Sequence, residues 1–250
     1  MTGKEEIQKD WFKDWFNTPY YHILYKNRNN EEAALFIRNL VQFLDIDSEK
    51  AKILDLACGK GRHSIYMNTL GFDVKGVDLS EESILYASQF AKDRLSFAVQ
   101  DMREPMQEKF THIFNLFTSF GYFDSQDDNQ RVMHAIDAML DKDGILVIDF
   151  MNSPKVIQQL VKEEEKTIDS ISFHITREHD HQHIYKHIHF QDKGQDFRFS
   201  ERVQALTLDD FSRLTDATGL QIIRTFGDFS LNPYHPETSD RLIIIAKKQE

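Results

Sequence analysis

The chain has 250 residues, with 30 Lys and Arg against 41 Asp and Glu, which gives a formal net charge of −11. At about 100–200 residues per domain, this length corresponds to one large domain or to a core domain with an insertion. The negative charge repels phosphate backbones, so we expect no nucleic-acid partner. The single cysteine, Cys58, cannot form an internal disulfide. This favours a reducing compartment, and we expect a cytoplasmic protein.

We expect neither a membrane span nor a signal peptide. The longest unbroken apolar runs are Ala33–Ile37 and Leu242–Ala246, and both are far shorter than the ~20 residues needed to cross a bilayer. The first part of the chain is rich in charged and aromatic side chains and lacks an apolar central stretch. The mature chain is therefore expected to begin near Met1.

From about residue 50, short apolar runs, turns rich in Gly or Asp, and stretches with helical spacing follow one another. This alternation predicts an α/β fold with a parallel sheet and crossover helices. The predicted strands are Lys52–Ala57, Asp73–Asp78, Ser96–Asp101, His112–Phe117 and Ile145–Phe150. The predicted helices are Arg62–Leu70, Glu81–Lys92, with Ser80 as its N-cap, and Asp127–Leu140. The connection after Asp101 shows no helical pattern.

Residues 165–205 alternate apolar and polar side chains, which predicts a small antiparallel β lobe inserted after the fifth strand. Thr207 and Asp210 then resemble a capping box, with Asp in place of the usual Glu, and the helix that they begin should end near Gly219. Two further strands, Gln221–Phe226 and Asp240–Lys247, return the chain to the main sheet.

Residues 1–45 are interpreted as an amino-terminal helical cap rich in aromatic side chains. Trp11, Phe12, Trp15 and Phe16 pair at i,i+4 on a predicted helix, and Tyr20, Tyr21 and Tyr25 follow. One interpretation is a helix packed on the domain. The other is a lid that closes over a ligand and excludes water.

A Gly-x-Gly turn, Gly59-Lys60-Gly61, links the first predicted strand to a helix. Glycines are needed where a strand turns tightly and a ligand approaches the backbone. Asp55 lies inside this strand, and Asp78 and Asp101 end the next two strands. The carboxyl ends of parallel strands form the edge at which open α/β sheets bind ligands.

Two cofactors are compatible with such a turn. A nicotinamide site expects a third glycine, where this chain has Ser64, and the Asp55 carboxylate would lie close to the pyrophosphate. S-adenosylmethionine carries a sulfonium and an ammonium and no phosphate, so nearby carboxylates favour it.

The segment Asp55-Leu56-Ala57-Cys58-Gly59-Lys60-Gly61 resembles the first motif of class I S-adenosylmethionine-dependent methyltransferases. Residues 50–150 match the pattern of strands and acids of that family, and the rest of the chain fits it more loosely. The resemblance implies a Rossmann-like, doubly wound, seven-stranded and mostly parallel sheet with an antiparallel last strand, in a methyltransferase domain over residues 46–250. It also implies S-adenosylmethionine as the cofactor and S-adenosylhomocysteine as its product.

The resemblance further implies a set of cofactor-binding residues: Asp55, Ala57, Gly59, Gly61, Arg62, Asp78, Leu79, Asp101, Met102 and Phe117. In this set Asp78 takes both ribose hydroxyls, an arrangement that a carboxylate favours because it accepts two charged hydrogen bonds. Asp101 and Met102 hold the adenine edge, and Asp55 lies near the ammonium. Alternatively, Asp55 caps the turn, Asp78 only neighbours the N-cap Ser80, and Arg62 simply begins the helix.

The family meets its methyl acceptor after the fourth strand, and residues 115–122 lack the Asn/Asp-Pro-Pro-Tyr pattern of many enzymes that methylate nucleic-acid amino groups. We therefore expect direct in-line transfer to an O or N atom of a small molecule. The candidate acceptor-pocket residues are Tyr20, Tyr21, Tyr25, Phe117, Phe120, Tyr122, Asn152 and Tyr234. Core packing is the alternative for the phenylalanines.

No catalytic residue is assigned from the sequence, and the candidates are His235, Tyr20 and Tyr122. His235 could act as a base near neutral pH or be a loop histidine without a catalytic role. The histidines between His174 and His189 could hold a metal. They alternate with the apolar residues of the predicted strands, which favours a place on the solvated face of the sheet. We therefore expect no metal. An inactive cofactor-binding scaffold or sensor and a nicotinamide-dependent oxidoreductase remain as alternative functions.

Overall fold

The computed structural model describes residues 11–26, 30–123 and 125–249. Its strands are β1 (Lys52–Leu56), β2 (Asp73–Asp78), β3 (Leu95–Val99), β4 (Phe110–Asn115), β5 (Leu140–Met151), β6 (Glu163–Ile168), β7 (Ile171–His179), β8 (His183–Asp192), β9 (Gln195–Gln204), β10 (Leu220–Phe226) and β11 (Arg241–Lys248). Its helices are α1 (Trp11–Phe16), α2 (Pro19–Leu24), α3 (Asn30–Leu44), α4 (Arg62–Thr69), α5 (Glu81–Ala87), α6 (Gln126–Met139), α7 (Ser153–Gln158) and α8 (Leu208–Asp216).

Seven strands form the main sheet in the order β10-β11-β5-β4-β1-β2-β3. All are parallel except β11, which runs antiparallel to both of its neighbours, β5 and β10. This confirms the predicted mostly parallel sheet with an antiparallel last strand. Strand β1, in the interior of the sheet, is buried on both faces, and Ile53 and Leu54 are fully inaccessible. The chain first fills the β1 to β3 side and then returns to β4, so β1 and β4 flank the point where ligands bind in such sheets.

Most boundaries lie within two or three residues of the predictions, and two differ by five residues. The helix predicted over Glu81–Lys92 ends at Ala87 and continues as one 3-10 turn, Ser88–Phe90. Strand β5 begins five residues before the predicted Ile145, because Leu140 already pairs with Phe110 ahead of a register shift. The predicted Ser80 N-cap is confirmed, since its hydroxyl accepts the Ser83 amide. The capping box predicted at Thr207 is also present.

The predicted lobe is a separate four-stranded antiparallel sheet in the order β6-β7-β8-β9. Its first strand, β6, begins at Glu163, two residues before the predicted start of the lobe. One face is apolar, and Phe173, Ile188 and Phe190 are buried there. His174 and His189 pair across the opposite face, so these histidines occupy the more solvated side, as their phase indicated.

The amino-terminal helices pack on two different parts of the molecule. Helix α1 lies against the lobe, and Trp15 stacks on Phe199 with ring centroids 4.4 Å apart. Helix α3 belongs to a second core cluster, in which Phe36 and Leu40 are fully buried. Residues 1–10 and 27–29 of the predicted cap lie outside the described residues. Within the described ranges, no helix has both the length and the apolar character needed to cross a membrane.

Candidate functional site

A cavity of about 730 Å³ lies at the carboxyl edge of β1, β2, β3 and β4, under the amino-terminal helices. Its volume is within the range of small-molecule and cofactor sites. Of the predicted cofactor-binding residues, those that line it are Ala57, Gly59, Arg62, Asp78, Leu79, Asp101, Met102 and Phe117. Of the predicted acceptor-pocket residues, those that line it are Tyr21, Tyr25, Phe117 and Tyr122.

The loop after β1 turns sharply through three left-handed residues, Ala57, Gly59 and Gly61, with φ of 64°, 56° and 78°. A Cβ at Gly59 would meet no atom within 4 Å, so this part of the loop faces open space. A Cβ at Gly61 would lie 2.6 Å from the Phe97 ring. The first glycine therefore leaves room for a ligand, and the second permits close packing of the loop on the sheet.

Asp78 connects this loop to the beginning of α5. One carboxylate oxygen accepts the Gly59 amide at 2.8 Å, and the other accepts the Ser80 amide at 2.8 Å. Burial raises the pKa of Asp78, and these amide hydrogen bonds partly oppose the increase. The carboxylate is thus held at the wall of the cavity by two backbone donors.

Asp101 is held by Arg103. The Arg103 guanidinium donates to Asp101 Oδ2 at 2.6 Å, and the Arg103 amide donates to Oδ1 at 2.9 Å. Burial favours the neutral acid, but the hydrogen bonds from Arg103 outweigh it and lower the pKa of Asp101. Asp101 therefore presents an ionised carboxylate at the end of β3.

Asp55 and Gly61, both predicted to contact the cofactor, lie beneath the cavity wall. Asp55 is buried and accepts a hydrogen bond of 2.5 Å from the Ser64 hydroxyl. Burial raises the pKa of Asp55 to about 6. Ser64 stands where a nicotinamide motif has glycine, and its hydroxyl approaches the backbone of Gly76 on β2. In this chain the glycine that permits close packing of helix on strand is therefore Gly76 on β2, opposite Ser64.

Phe117 stands in the wall on the β4 side. Its amide donates to Asp149 Oδ2 at 2.9 Å, and its φ of 61° is left-handed. The Arg62 guanidinium carbon lies 3.9 Å from the Phe117 ring centroid, a cation–π geometry. Phe117 and Arg62 therefore form one unit at the junction of β4 and α4.

Aromatic rings from the amino-terminal helices close the same side of the cavity. The Tyr21 ring lies 4.7 Å from Phe16 and 4.9 Å from Tyr25. Tyr122, from the loop after β4, lies 5.5 Å from Phe16. These helices are packed on the domain, and their rings also line the cavity.

Two predicted acceptor residues point away from the cavity. The Tyr20 hydroxyl donates to Asp192 on the lobe at 2.8 Å, and its ring packs on Phe190 at 4.7 Å. Phe120 is fully buried, and its ring lies 5.4 Å from that of Phe211. Tyr20 is therefore part of the contact with the lobe, and Phe120 is a core residue.

Three more candidates belong to the loop between β10 and β11 and its support. The Asn152 amide donates to the carbonyls of Pro236 at 2.8 Å and Ser239 at 2.7 Å, and its oxygen accepts the Tyr234 hydroxyl at 3.1 Å. His235 is exposed and holds the loop through its backbone amide. None of Asn152, Tyr234 and His235 lines the cavity. The role of general base suggested for His235 therefore does not fit its position.

The histidines of the lobe engage acidic neighbours, for example His189 Nε2 with Asp196 Oδ1 at 2.6 Å. Over the described part of the chain, no group of three or more His, Cys, Asp or Glu side chains is arranged to hold a metal ion.

Several lining residues were not predicted, among them His22, Lys26, Lys60, Tyr66 and Ser119. Some could have been found from spacing. Tyr66 lies four residues after Arg62 and so occupies the same face of α4. Lys60 is the central residue of the Gly-x-Gly turn.

Comparison with known proteins identifies the family to which the chain belongs. A family model described as "Methyltransferase domain" matches residues 47–194. The chain belongs to the class I S-adenosylmethionine-dependent methyltransferases. Its cofactor is S-adenosylmethionine, and the nicotinamide alternative is thereby set aside.

Two relatives of this methyltransferase act on nitrogen, according to their names. A glycine/sarcosine N-methyltransferase of Aphanothece halophytica is 28% identical over 240 residues, which cover 88% of this chain and 83% of the relative. A dTDP-3-amino-3,4,6-trideoxy-alpha-D-glucopyranose N,N-dimethyltransferase of Streptomyces venezuelae is 25% identical, covering 81% of this chain and 89% of the relative.

The fold of this methyltransferase is also that of a solved structure. An S-adenosylmethionine-dependent methyltransferase from Clostridium acetobutylicum matches with a TM-score of 0.77, over 92% of this chain and 96% of that chain. The sequences are 20% identical, so this likeness concerns the fold.

Proposed function

We propose that this methyltransferase transfers a methyl group to the nitrogen of a small-molecule acceptor. The observation that carries the proposal is the division of one cavity. Carboxylates, Asp78 and Asp101, line its β2 and β3 side, and aromatic rings, including Tyr21 and Tyr122, line its other side. The names of the two nitrogen-methylating relatives support the same conclusion.

The carboxylate side suits the cofactor. S-adenosylmethionine supplies a methyl group on a sulfonium cation, and its ribose offers two hydroxyl donors. Asp78 would hold the ribose, because a carboxylate accepts two charged hydrogen bonds. Asp101 and Met102 would hold the adenine, and the open space above Gly59 would admit the methionine part.

The aromatic side suits an amine. The faces of Tyr21, Tyr25 and Tyr122 attract cationic and polarised N–H groups and exclude water. Methyl transfer is an in-line displacement, and the enzyme contributes mainly by holding the nitrogen in line and close, which can lower the barrier by about 7–11 kcal/mol. An acceptor that enters as the free amine has an available lone pair and needs no dedicated base.

The proposal is tested by pairing amines with their hydroxyl analogues. Glycine, sarcosine and a dTDP-linked amino sugar would be compared with glycolate and the matching hydroxy sugar, and release of S-adenosylhomocysteine would be measured by mass spectrometry. We expect turnover with at least one amine and none with its hydroxyl analogue. Turnover of the hydroxyl compounds alone would overturn the choice of nitrogen. Calorimetric binding of S-adenosylhomocysteine without any turnover would instead favour the scaffold or sensor.

A further inference from the structure

One carboxylate of the inserted lobe binds two aromatic side chains of the amino-terminal helices. Glu201 lies on β9, and its Oε1 accepts the Trp15 indole N–H at 2.7 Å. The same oxygen accepts the Tyr25 hydroxyl at 2.7 Å, and Oε2 lies 2.9 Å from that hydroxyl. Trp15 belongs to α1, whereas Tyr25 caps the carboxyl end of α2. Glu201 therefore joins both short helices to the lobe.

Lys186 completes this contact from the neighbouring strand. It pairs with Glu201 in the register of β8 and β9, and its ammonium lies 3.7 Å from the carboxylate. The ammonium also donates to the Tyr25 hydroxyl and lies 4.5 Å from the centroid of the Tyr25 ring. The Tyr25 hydroxyl thus donates to one residue of the lobe and accepts from another, which fixes the direction of the ring.

Burial makes the loss of these hydrogen bonds costly. The side chains of Glu201 and Lys186 are only 14% and 15% exposed. A charge removed from water is costly unless it is hydrogen-bonded, and Glu201 is satisfied here by donors from the amino-terminal helices. These helices are too short to be stable alone, since α1 and α2 have six residues each. Their position therefore depends on tertiary contacts, and Glu201 supplies hydrogen bonds to both helices from the lobe.

Tyr25 is also part of the cavity wall, 4.9 Å from Tyr21, whereas Glu201 does not reach the cavity. We propose that Glu201 is a positioning residue, which holds Tyr25 in the aromatic wall so that the inserted lobe governs how tightly the acceptor binds. This inference rests on the proposed function, because it assigns that wall to the acceptor. The cofactor side is built by the main sheet, and Glu201 is not among the residues that line it.

The chain offers a direct probe of this contact. It has two tryptophans, Trp11 and Trp15, and both lie in α1. In a Trp11→Phe background, the fluorescence of Trp15 therefore reports on the contact with Glu201. We expect Glu201→Ala to increase acrylamide quenching of Trp15 clearly, while the calorimetric Kd for S-adenosylhomocysteine stays within about twofold of that of the parent, since the cofactor side keeps its contacts.

Two further variants separate positioning from general destabilisation. Glu201→Gln keeps an oxygen acceptor and should restore part of the protection of Trp15. Glu165→Gln changes a carboxylate of the same lobe that is 84% exposed and should change nothing. The proposal would be overturned if quenching of Trp15 in Glu201→Ala equalled that of the parent. It would also be overturned if Glu201→Ala and Glu201→Gln were quenched equally and both lost S-adenosylhomocysteine binding.

Kinetics test the effect on the acceptor. With the amine turned over in the panel above, we expect KM for that amine to rise about fivefold or more in Glu201→Ala and in Tyr25→Phe, the scale of one lost hydrogen bond, with kcat nearly unchanged. A fall in kcat at constant KM would contradict the assignment. If no amine is turned over, the proposed function fails, while the quenching data still decide whether Glu201 positions α1 and α2.

Discussion

Arg241 donates from Nε to Asp149 Oδ1 at 2.7 Å, and Asp149 is completely buried. The second oxygen of this carboxylate accepts the Phe117 amide, and Arg241 also donates to the Thr118 hydroxyl at 2.9 Å. Phe117 and Thr118 are both left-handed, with φ of 61° and 57°. This ion pair therefore holds a strained turn that carries a ring of the cavity wall.

Replacing Asp149 by Asn should strongly destabilise the enzyme. The amide cannot neutralise Arg241, which is 20% exposed, and breaking such a pair from one side costs about 3 kcal/mol or more. Urea unfolding measures the loss. The control is Asp240→Asn, which breaks an ion pair with Lys155 at a carboxylate that is 78% exposed. That variant should lose less than about 0.5 kcal/mol. Equal losses would refute the role assigned to Asp149.

Asp78→Asn should weaken cofactor binding. The variant loses the charge that would accept the ribose hydroxyls, and Kd for S-adenosylhomocysteine should rise about 10- to 100-fold, which corresponds to about 1–3 kcal/mol. Titration calorimetry measures it. Asp73→Asn, at the opposite end of the same strand, is the matched control and should bind normally. A Kd for Asp78→Asn equal to that of the control would remove Asp78 from the site.

The two loop glycines should respond differently to alanine. In Gly61→Ala the new Cβ would meet Phe97 at 2.6 Å in a left-handed backbone, so we expect a loss of about 2–4 kcal/mol in the free energy of unfolding. Gly59→Ala has the same backbone strain but no contact within 4 Å. It should lose only about 1–2 kcal/mol. Its larger effect should be on S-adenosylhomocysteine affinity, because its methyl group points into the open space.

A reversed order of stability between these two variants would show that the Phe97 contact is not what requires the second glycine. The double variant Gly61→Ala/Phe97→Ala tests this further. Removing the Phe97 ring removes the clash, and the new methyl group at residue 61 should partly fill the space that the ring leaves. The double variant should therefore lose less free energy of unfolding than the sum of the two single losses.

Asp55→Asn should stabilise the ligand-free enzyme, most strongly at alkaline pH. Burial raises the pKa of Asp55 from 3.8 to about 6. Below both pKa values the acid is neutral in the folded and the unfolded chain, so its titration does not change the free energy of unfolding. As the pH rises between them, only the unfolded chain ionises, so the wild type loses stability until the pH exceeds the folded pKa. The asparagine side chain of the variant cannot ionise, so the variant escapes this loss.

The gain expected from Asp55→Asn near pH 8 is about 3 kcal/mol, and it should shrink by more than about 1 kcal/mol near pH 5. Urea unfolding of both proteins at the two pH values measures this difference, and titrating groups that do not interact with Asp55 cancel in it. A gain that is independent of pH would contradict a raised pKa for Asp55.

The cofactor side was largely predictable because its residues follow the carboxyl ends of strands in the parallel part of the sheet. An apolar run that stops at an acid marks both the strand and the edge of the sheet, and Asp78 and Asp101 do line the cavity. The aromatic side was less predictable. The short helix α2 has no strong periodicity. Its sequence therefore did not show that Tyr25 lines the cavity, whereas Tyr20 contacts the lobe and does not line it. The path of the loop around His235 depends on hydrogen bonds from Asn152, which no local pattern reveals.

Trp15 and Glu201 are 186 residues apart in the sequence. During synthesis α1 leaves the ribosome long before β9 is made, so the hydrogen bond from the Trp15 indole to Glu201 cannot form until then. Contacts that close so long a loop also form late, because the entropy of closure must be overcome first. A nascent chain that stops before β9 already contains β1–β5 and the glycine loop, yet Trp15 still lacks Phe199 and Glu201, its partners on β9. The covering of the cavity is therefore expected to be among the last steps of folding.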